Sequence, residues 1–205
     1  MMSHQLKVLL TLVMITAIIS AILVVTVSAQ QPTKVWVDDD FGPGTPGWGV
    51  THFKSIQDGI DAVAEGGIVH VASGTYNEQL EITKSLTLQA AAGETVIIMP
   101  PEALTTYEVT YDVLGGTKTR TFAPLIIVRP PVSASSVVIE GFIIDGNYEL
   151  LDRGYVGTED PIYVGVVYVN FDGAIRNCEI RNFRPRPEQT DLFNNGFAIW
   201  VVGYS

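Results

Sequence analysis

The apolar residues between positions 53 and 88 follow two different periods in succession. The first period is helical, and the residues that show it are Ile56, Ile60 and Val63. Ser55 stands directly before them and is a typical helix N-cap, and the glycine pair 66–67 is a typical helix stop. After that pair, apolar residues recur at every second position as far as Leu88, as they do in half-buried strands. The pattern predicts one short helix and then a series of brief strands.

The alternation also predicts which way the side chains of the first strand point. Val69 and Val71 fall on the apolar face, and His70 falls on the opposite face. We therefore expect His70 to be a surface residue rather than a catalytic one.

Two longer motifs, VVIEGFIIDGN at 137–147 and GAIRNCEIRNF at 173–183, match each other at an offset of 36 residues. On successive coils of a solenoid, such equivalent positions stack about 4.8 Å apart, the strand spacing of a sheet. The inward pairs that result are Ile139 with Ile175, Phe142 with Cys178, and Ile144 with Ile180. The outward pairs are Glu140 with Arg176 and Asp145 with Arg181.

Three apolar strands, Leu125–Val128, Val164–Val169 and Gly196–Val202, alternate with these motifs. The intervening segments show no helical period, which excludes a doubly wound α/β fold. Parallel strands without crossover helices are typical of a β-helix, and a β-sandwich is the alternative.

Residues 107–122 interrupt this succession with a predicted β-hairpin. Apolar and aromatic residues alternate up to the glycine pair 115–116 and again on the return strand. The aromatic side chains either pack onto the domain or contact sugar rings. Two polar insertions follow later, at 148–162 and 184–195.

Three stretches of the first block carry a resemblance to a known family. They are F-x-x-I-Q-x-x-I-D-A-V from Phe53, G-G-I-V-x-V from Gly66 and G-T-Y-N-E from Gly74. The chain resembles the start of the right-handed parallel β-helix proteins of the pectate-lyase-like (pectin-lyase-like) superfamily, clearly over about residues 35–99 and as weaker repeats from 124 to 205. The resemblance implies an all-β fold, a single-stranded right-handed parallel β-helix (solenoid) with an N-terminal capping α-helix. Enzymes of this group cleave polyuronides with an Arg or Lys base and Ca²⁺ on Asp carboxylates, or hydrolyse glycosides with paired Asp.

Composition narrows the classes of partner. The chain has 205 residues, 47% of them hydrophobic, so it can bury a core. Its formal charge of −10 argues against nucleic acid as a partner, because binding to phosphates requires positive charge. Cys178 is the single cysteine and cannot form an internal disulfide. We expect it to be an inert, buried core residue.

Residues 1–29 are a predicted targeting segment. Lys7 supplies a positive start, residues 8–27 are almost wholly apolar, and small residues precede Gln30. The segment is interpreted as a signal peptide before a β-helix domain at 30–205. The alternative is an uncleaved anchor, since residues 8–27 are long enough to span a bilayer. Both interpretations place the domain outside the cell, secreted or on the surface.

A cleaved leader leads to a direct prediction about the mature chain. We expect the secreted protein to begin at Gln30, because the small residues before it suit signal peptidase. The intact mass of the secreted protein checks this. Recovery of the uncut chain in the membrane fraction would support the anchor instead.

The outward pairs of the repeat bring acidic and basic groups to one side of the predicted solenoid. The candidate catalytic residues are Asp145, Asp172, Arg176 and Arg181. Acid and base groups that share a groove suit glycoside or uronide cleavage. The alternative is an exposed ion-pair ladder that contributes little to stability.

Three adjacent carboxylates follow the strand at 35–37, and Asp38 and Asp40 alternate onto one side of it. Carboxylate oxygens are ligands that Ca²⁺ prefers, so these two residues are the candidate calcium ligands, and the sequence indicates no other cofactor. The alternative is a solvated strand end, because the spaced D-x-D-x-D-G calcium loop is missing from the sequence.

Together these features predict an exported β-helix protein that binds a polysaccharide or cell-envelope glycan, or serves as a scaffold. The alternative is a carbohydrate-active enzyme, a polysaccharide lyase or glycoside hydrolase, with its site partly beyond residue 205. The sequence stops within an apolar strand, so we expect a β-helix truncated at its C-terminus.

Overall fold

The structure is a computed structural model, and it describes residues 4–5, 30–113, 116–129, 136–147, 161–169, 172–183 and 197–202. The apolar leader segment, the hairpin turn and almost all of the two polar insertions lie outside the described residues. In the part of the chain that is described, no helix has the length and apolar character needed to cross a membrane.

Between residues 30 and 202, the described elements are one helix and a succession of short strands. The helix is α1 (Ile56–Ala62). The strands are β1 (Lys34–Val37), β2 (His52–Phe53), β3 (Gly67–Val71), β4 (Gly74–Asn77), β5 (Leu80–Ile82), β6 (Leu86–Ala90), β7 (Val96–Met99), β8 (Tyr107–Val113), β9 (Gly116–Val128), β10 (Ser136–Glu140), β11 (Phe142–Asp145), β12 (Ile162–Val169), β13 (Asp172–Arg176), β14 (Glu179–Arg181) and β15 (Phe197–Val202).

The strands form three sheets whose members pair in parallel. Sheet 1 has the order β2-β1-β3-β6-β10-β13, sheet 2 the order β4-β7-β11-β14, and sheet 3 the order β5-β9-β12-β15. Only the β8–β9 pair is antiparallel among the described strands. From β3 to β15 the chain passes through sheets 1, 2 and 3 in that order four times. The β-sandwich alternative is wrong, because sandwich sheets are built from antiparallel strands.

The inward side chains of the three sheets meet in one core. Sheets 1, 2 and 3 contribute, for example, Val69, Tyr76 and Ile82 to this core, and each is at most 3% exposed. The alternation predicted for β3 is confirmed, since Val69 and Val71 are buried while His70 is partly exposed. Full burial of an aliphatic side chain stabilises a fold by about 1.5–3 kcal/mol, so this core is the main source of stability.

The short helix begins where the sequence predicts and ends earlier. Ser55 is its N-cap, and the Ser55 hydroxyl accepts a hydrogen bond from the Asp58 amide. The predicted stop at Gly66 is wrong: Val63, in an extended conformation, ends the helix after Ala62. Gly66 has a φ of +73° and belongs to the turn into β3 instead.

The residues that carry the family resemblance hold this helix in place. Glu78, the last residue of G-T-Y-N-E, accepts hydrogen bonds from the Ser55 hydroxyl and from the amides of Ile56 and Gln57, at 2.9, 2.9 and 3.0 Å. The Gln57 side chain in turn bonds both the amide and the carbonyl of Glu81. The motif is therefore explained by helix anchoring and does not by itself indicate a reaction.

The predicted 36-residue register is confirmed where the strands pair. Ile139 lies opposite Ile175 in sheet 1, and Ile144 lies opposite Ile180 in sheet 2. The turns between these strands match as well, since Gly141 and Asn177 have φ angles of +85° and +51°.

The predicted hairpin packs against sheet 3 and gives it a second apolar layer. The buried members of that layer are Val109, Phe122, Ile127, Ile162, Val164, Val167 and Val202. Tyr111 and Phe122 contact the Trp200 ring, with centroid distances of 6.1 and 5.3 Å. Of the two interpretations of the hairpin aromatics, packing onto the domain is confirmed.

The all-β prediction holds at the level of architecture. The described chain is dominated by parallel sheets, with the helix α1 packed on β1, β2, β3 and β5. Gly59 lies at this contact, because a Cβ there would come within 2.8 Å of the Val37 side chain.

Candidate functional site

The outer face of sheet 1 carries one side chain per strand in a continuous line. From one edge strand to the other, this outer row consists of His52, Trp36, His70, Gln89, Glu140 and Arg176. Five spacings of about 4.8 Å make the row about 24 Å long. A line of this length suits an extended ligand better than a compact one.

The first three members of the row are stacked rings. Trp36 lies 5.3 Å from His52 and 5.9 Å from His70 between ring centroids, with interplanar angles of 15° and 19°. Trp36 is the exposed member of the three, at 41%, whereas His52 and His70 are partly buried. The three stacked rings therefore form an aromatic ridge on the outer face of sheet 1.

His70 is held in its neutral form in this ridge. Burial, and secondarily the ammonium group of Lys34, lower the pKa of His70 below its usual value. A neutral ring can accept at Nδ1, where the Gln89 Nε2 group lies at 3.1 Å. The aromatic and polar halves of the row are thus joined by a hydrogen bond.

A groove opens beside the polar half of the row. Residues 89–94, Glu140, Gly141 and Asn177 line it, and its volume is about 340 Å³. We call it the carboxyl-edge groove, because it lies where β6 and β10 end. The Asn177 side-chain amide donates to Glu140 at 3.2 Å across the two strands that border it.

The predicted calcium ligands lie at this same edge, at the end of β1. Carboxylate oxygens of Asp38, Asp39 and Asp40 all lie within 4.8 Å of one another. Asp38 also accepts a hydrogen bond from the Asp40 amide at 3.0 Å. Three carboxylates could supply some of the six to eight oxygen ligands that Ca²⁺ requires, so calcium binding here stays a prediction.

The predicted pairing of Asp145 with Arg181 is confirmed, but the prediction that Asp145 is exposed is wrong. Asp145 is only 7% exposed, and its oxygens accept from Arg181 Nε at 2.7 Å, Asn182 Nδ2 at 2.8 Å and the Asn147 amide at 2.9 Å. Burial raises the pKa of Asp145, but these hydrogen bonds outweigh it and hold that pKa below its usual value. A buried carboxylate with three donors serves as a structural link between β11 and β14.

The other candidate catalytic residues are not brought together with this pair. Arg176 lies opposite Glu140 in sheet 1, whereas Asp145 and Arg181 lie in sheet 2. Asp172 is exposed at the start of β13, about 13 Å along the strand from Arg176. The described residues thus do not gather these four into one acid–base site, and their catalytic role stays a prediction.

Cys178 is less buried than predicted, although it packs against the core. Its Sγ lies 3.2 Å from the Arg176 carbonyl, to which the thiol donates. Burial raises the pKa of the Cys178 thiol, so little thiolate forms at neutral pH and the expectation of an inert residue is supported.

A second polar cavity, of about 350 Å³, lies between α1 and the hairpin. Glu81 borders it and is paired with Arg129, with 2.6 Å between Nη2 and Oε1, and Arg129 lies 4.8 Å above the Tyr107 ring. The Gln79 side chain is bonded to Thr105 at both of its ends. These groups join neighbouring segments to one another, so the cavity is a weaker candidate than the outer row.

Sequence reasoning placed His70 on the surface but missed the row. Outward residues were visible from the alternation of each strand, but no repeated motif aligns β1 and β2 with β3. The signal that was present is compositional, since Trp36, His52 and His70 are unusual residues for the outward positions of short strands.

Comparison of the chain with protein-family models, curated proteins and solved structures finds no match.

Proposed function

We propose that the three sheets form a right-handed parallel β-helix that α1 caps at its N-terminal end. The fixed order in which the chain passes through the sheets supports this arrangement. The contact of α1 with Val35, Val37 and Val69 supports the cap, because those residues belong to the core beside β1.

On this scaffold, the function proposed is binding of an extended polysaccharide by an exported protein of the cell surface or extracellular space. The observation that carries the proposal is the outer row, which sets an indole or imidazole ring, an amide, a carboxylate or a guanidinium on each successive strand. Groups of these kinds bind hydroxyls, and their repeat along one line matches a polymer rather than a single sugar. The predicted leader at 1–29 supports export.

The test is loss of binding when the ridge is removed. Trp36→Ala takes away the central ring, and we expect affinity for the bound polysaccharide to fall at least about tenfold, or about 1.4 kcal/mol. Affinity electrophoresis of the full chain against a panel of neutral and uronide polysaccharides measures it. Tyr111→Ala is the control, because Tyr111 is an aromatic residue of the hairpin at sheet 3.

Two outcomes would contradict the proposal. Binding that Trp36→Ala leaves unchanged would remove the outer row from the function, provided that the thermal unfolding midpoint shows an intact fold. Release of unsaturated products or new reducing ends from the same polysaccharides would assign a lyase or hydrolase instead.

A further inference from the structure

The lining of the carboxyl-edge groove combines small residues with polar ones. The small residues are Ala90, Ala91, Ala92, Gly93 and Gly141, and the polar ones are Gln89, Glu94, Glu140 and Asn177. Small side chains leave room for a ring-sized group whose C–H surface can lie against methyl groups. A volume of about 340 Å³ is within the range of small-ligand sites.

The charge along this edge is negative. Glu94 and Glu140 line the groove itself, and no Lys or Arg is among its described lining residues. The three carboxylates of Asp38–Asp40 follow β1 at the same ends of the parallel strands. Arg176 lies beside Glu140 on the next strand and offsets only part of this charge.

One carboxylate of the groove can accept a further hydrogen bond. Glu140 Oε1 receives the Asn177 amide at 3.2 Å. Among the described residues, no donor reaches its other oxygen, Oε2. A sugar hydroxyl that donates to this oxygen would form a charge-assisted hydrogen bond, which is shorter and stronger than a neutral one.

We propose that the carboxyl-edge groove is the subsite for an uncharged sugar unit, so that the protein binds neutral glycans and rejects polyuronides. The inference rests on the proposed function, since the groove continues the polar half of the outer row. A uronate carboxylate placed there would lie beside Glu94 and Glu140. Repulsion between the uronate and these two carboxylates would lower the affinity by about tenfold or more.

The experiment compares neutral polysaccharides with polygalacturonate and alginate, using the full chain in EDTA and again with Ca²⁺. We expect binding to a neutral polysaccharide in both buffers and to neither uronide. Polyuronide binding in EDTA would overturn the inference. Polyuronide binding that appears only with Ca²⁺ would also overturn it and would favour an ion held by Asp38–Asp40.

Substitutions separate the groove from the row. Ala92 is exposed, so Ala92→Leu fills the groove without entering the core, and we expect neutral-glycan affinity to fall about tenfold. Thr75→Leu adds similar bulk at an exposed position of sheet 2 and should change nothing. The double variant Glu94→Gln with Glu140→Gln should raise polyuronide affinity about tenfold.

The inference and the proposed function fail in different ways. If Ala92→Leu binds like the unsubstituted chain while Trp36→Ala does not, the groove is not the subsite, but the outer row still binds. If no polysaccharide of either class binds, the proposed function falls, and the groove inference falls with it.

Discussion

Replacing Asp145 with alanine is expected to destabilise the fold by about 3 kcal/mol, because it removes a buried carboxylate that accepts three hydrogen bonds. The donors are the Asn147 amide, the Asn182 side chain and Arg181 Nε, all within 2.9 Å of the carboxylate. Urea unfolding of the full chain measures the difference. Arg181→Ala is the matched control, and we expect a much smaller effect, since its guanidinium is largely solvated and the other two donors remain. Equal losses for the two variants would contradict the structural role of Asp145.

The lowered pKa of Asp145 predicts that its contribution to stability depends on pH. The folded-state pKa of Asp145 is lowered, so its stabilisation is present above the unfolded pKa of about 3.9 and is lost as pH falls through the folded value. We expect the stability gap between the unsubstituted chain and Asp145→Asn to be constant near pH 7 and to shrink below about pH 4. A gap that does not change between pH 7 and pH 3 would mean that the carboxylate charge is not what stabilises the link.

Replacing Glu78 with alanine is the second substitution with a large expected effect, a destabilisation of about 2 kcal/mol. The change removes the acceptor for the Ser55 hydroxyl and for the first two amides of α1. It also removes a negative charge from the positive end of the helix. Because Glu78 is partly exposed, water replaces some of the lost bonds and keeps the figure below that for Asp145.

Denaturant unfolding checks the Glu78 prediction against Glu102→Ala, which removes an exposed carboxylate. We expect the Glu102 variant to unfold at nearly the same urea concentration as the unsubstituted chain. If the two variants behave alike, the hydrogen bonds from Glu78 to the start of α1 contribute nothing measurable to stability.

The sequence predicted the register of the later strands because two motifs repeat. Both 137–147 and 173–183 place a residue with positive φ at the turn and isoleucines on either side of it. Alternation then determined which side chains enter the core. These features are local, so they can be recognised in the sequence without knowing which strands pair.

The burial of Asp145 could not be predicted in the same way. Alternation assigns it outward, but Asn182 and Phe183, which follow β14, close over the turn at Gly146. A Cβ on Gly146 would lie 2.7 Å from the Asn182 carbonyl oxygen, which shows how tightly the two turns pack. Exposure of an outward residue thus depends on the turn beside it, and alternation does not describe turns.

The hairpin shows a related difference. The hairpin covers the outer face of sheet 3. As a result, β9 is buried at every position from Phe122 to Val128, and the alternation of buried and exposed residues disappears. The sequence predicted the hairpin from its glycines and alternation, but the face that it covers depends on contacts with Trp200, far along the chain.

The parallel register of the three sheets has a mechanical consequence. The hydrogen bonds between strands all point along the direction in which strands are added, and the strands themselves run across it. A pull along the direction of strand addition loads these bonds one pair of strands at a time, so that strands peel away from an edge in sequence. A pull along the strands loads every bond of a pair together, in shear, and meets far more resistance. Each sheet is therefore anisotropic under tension, and the direction of the pull relative to its strands decides the load that it bears.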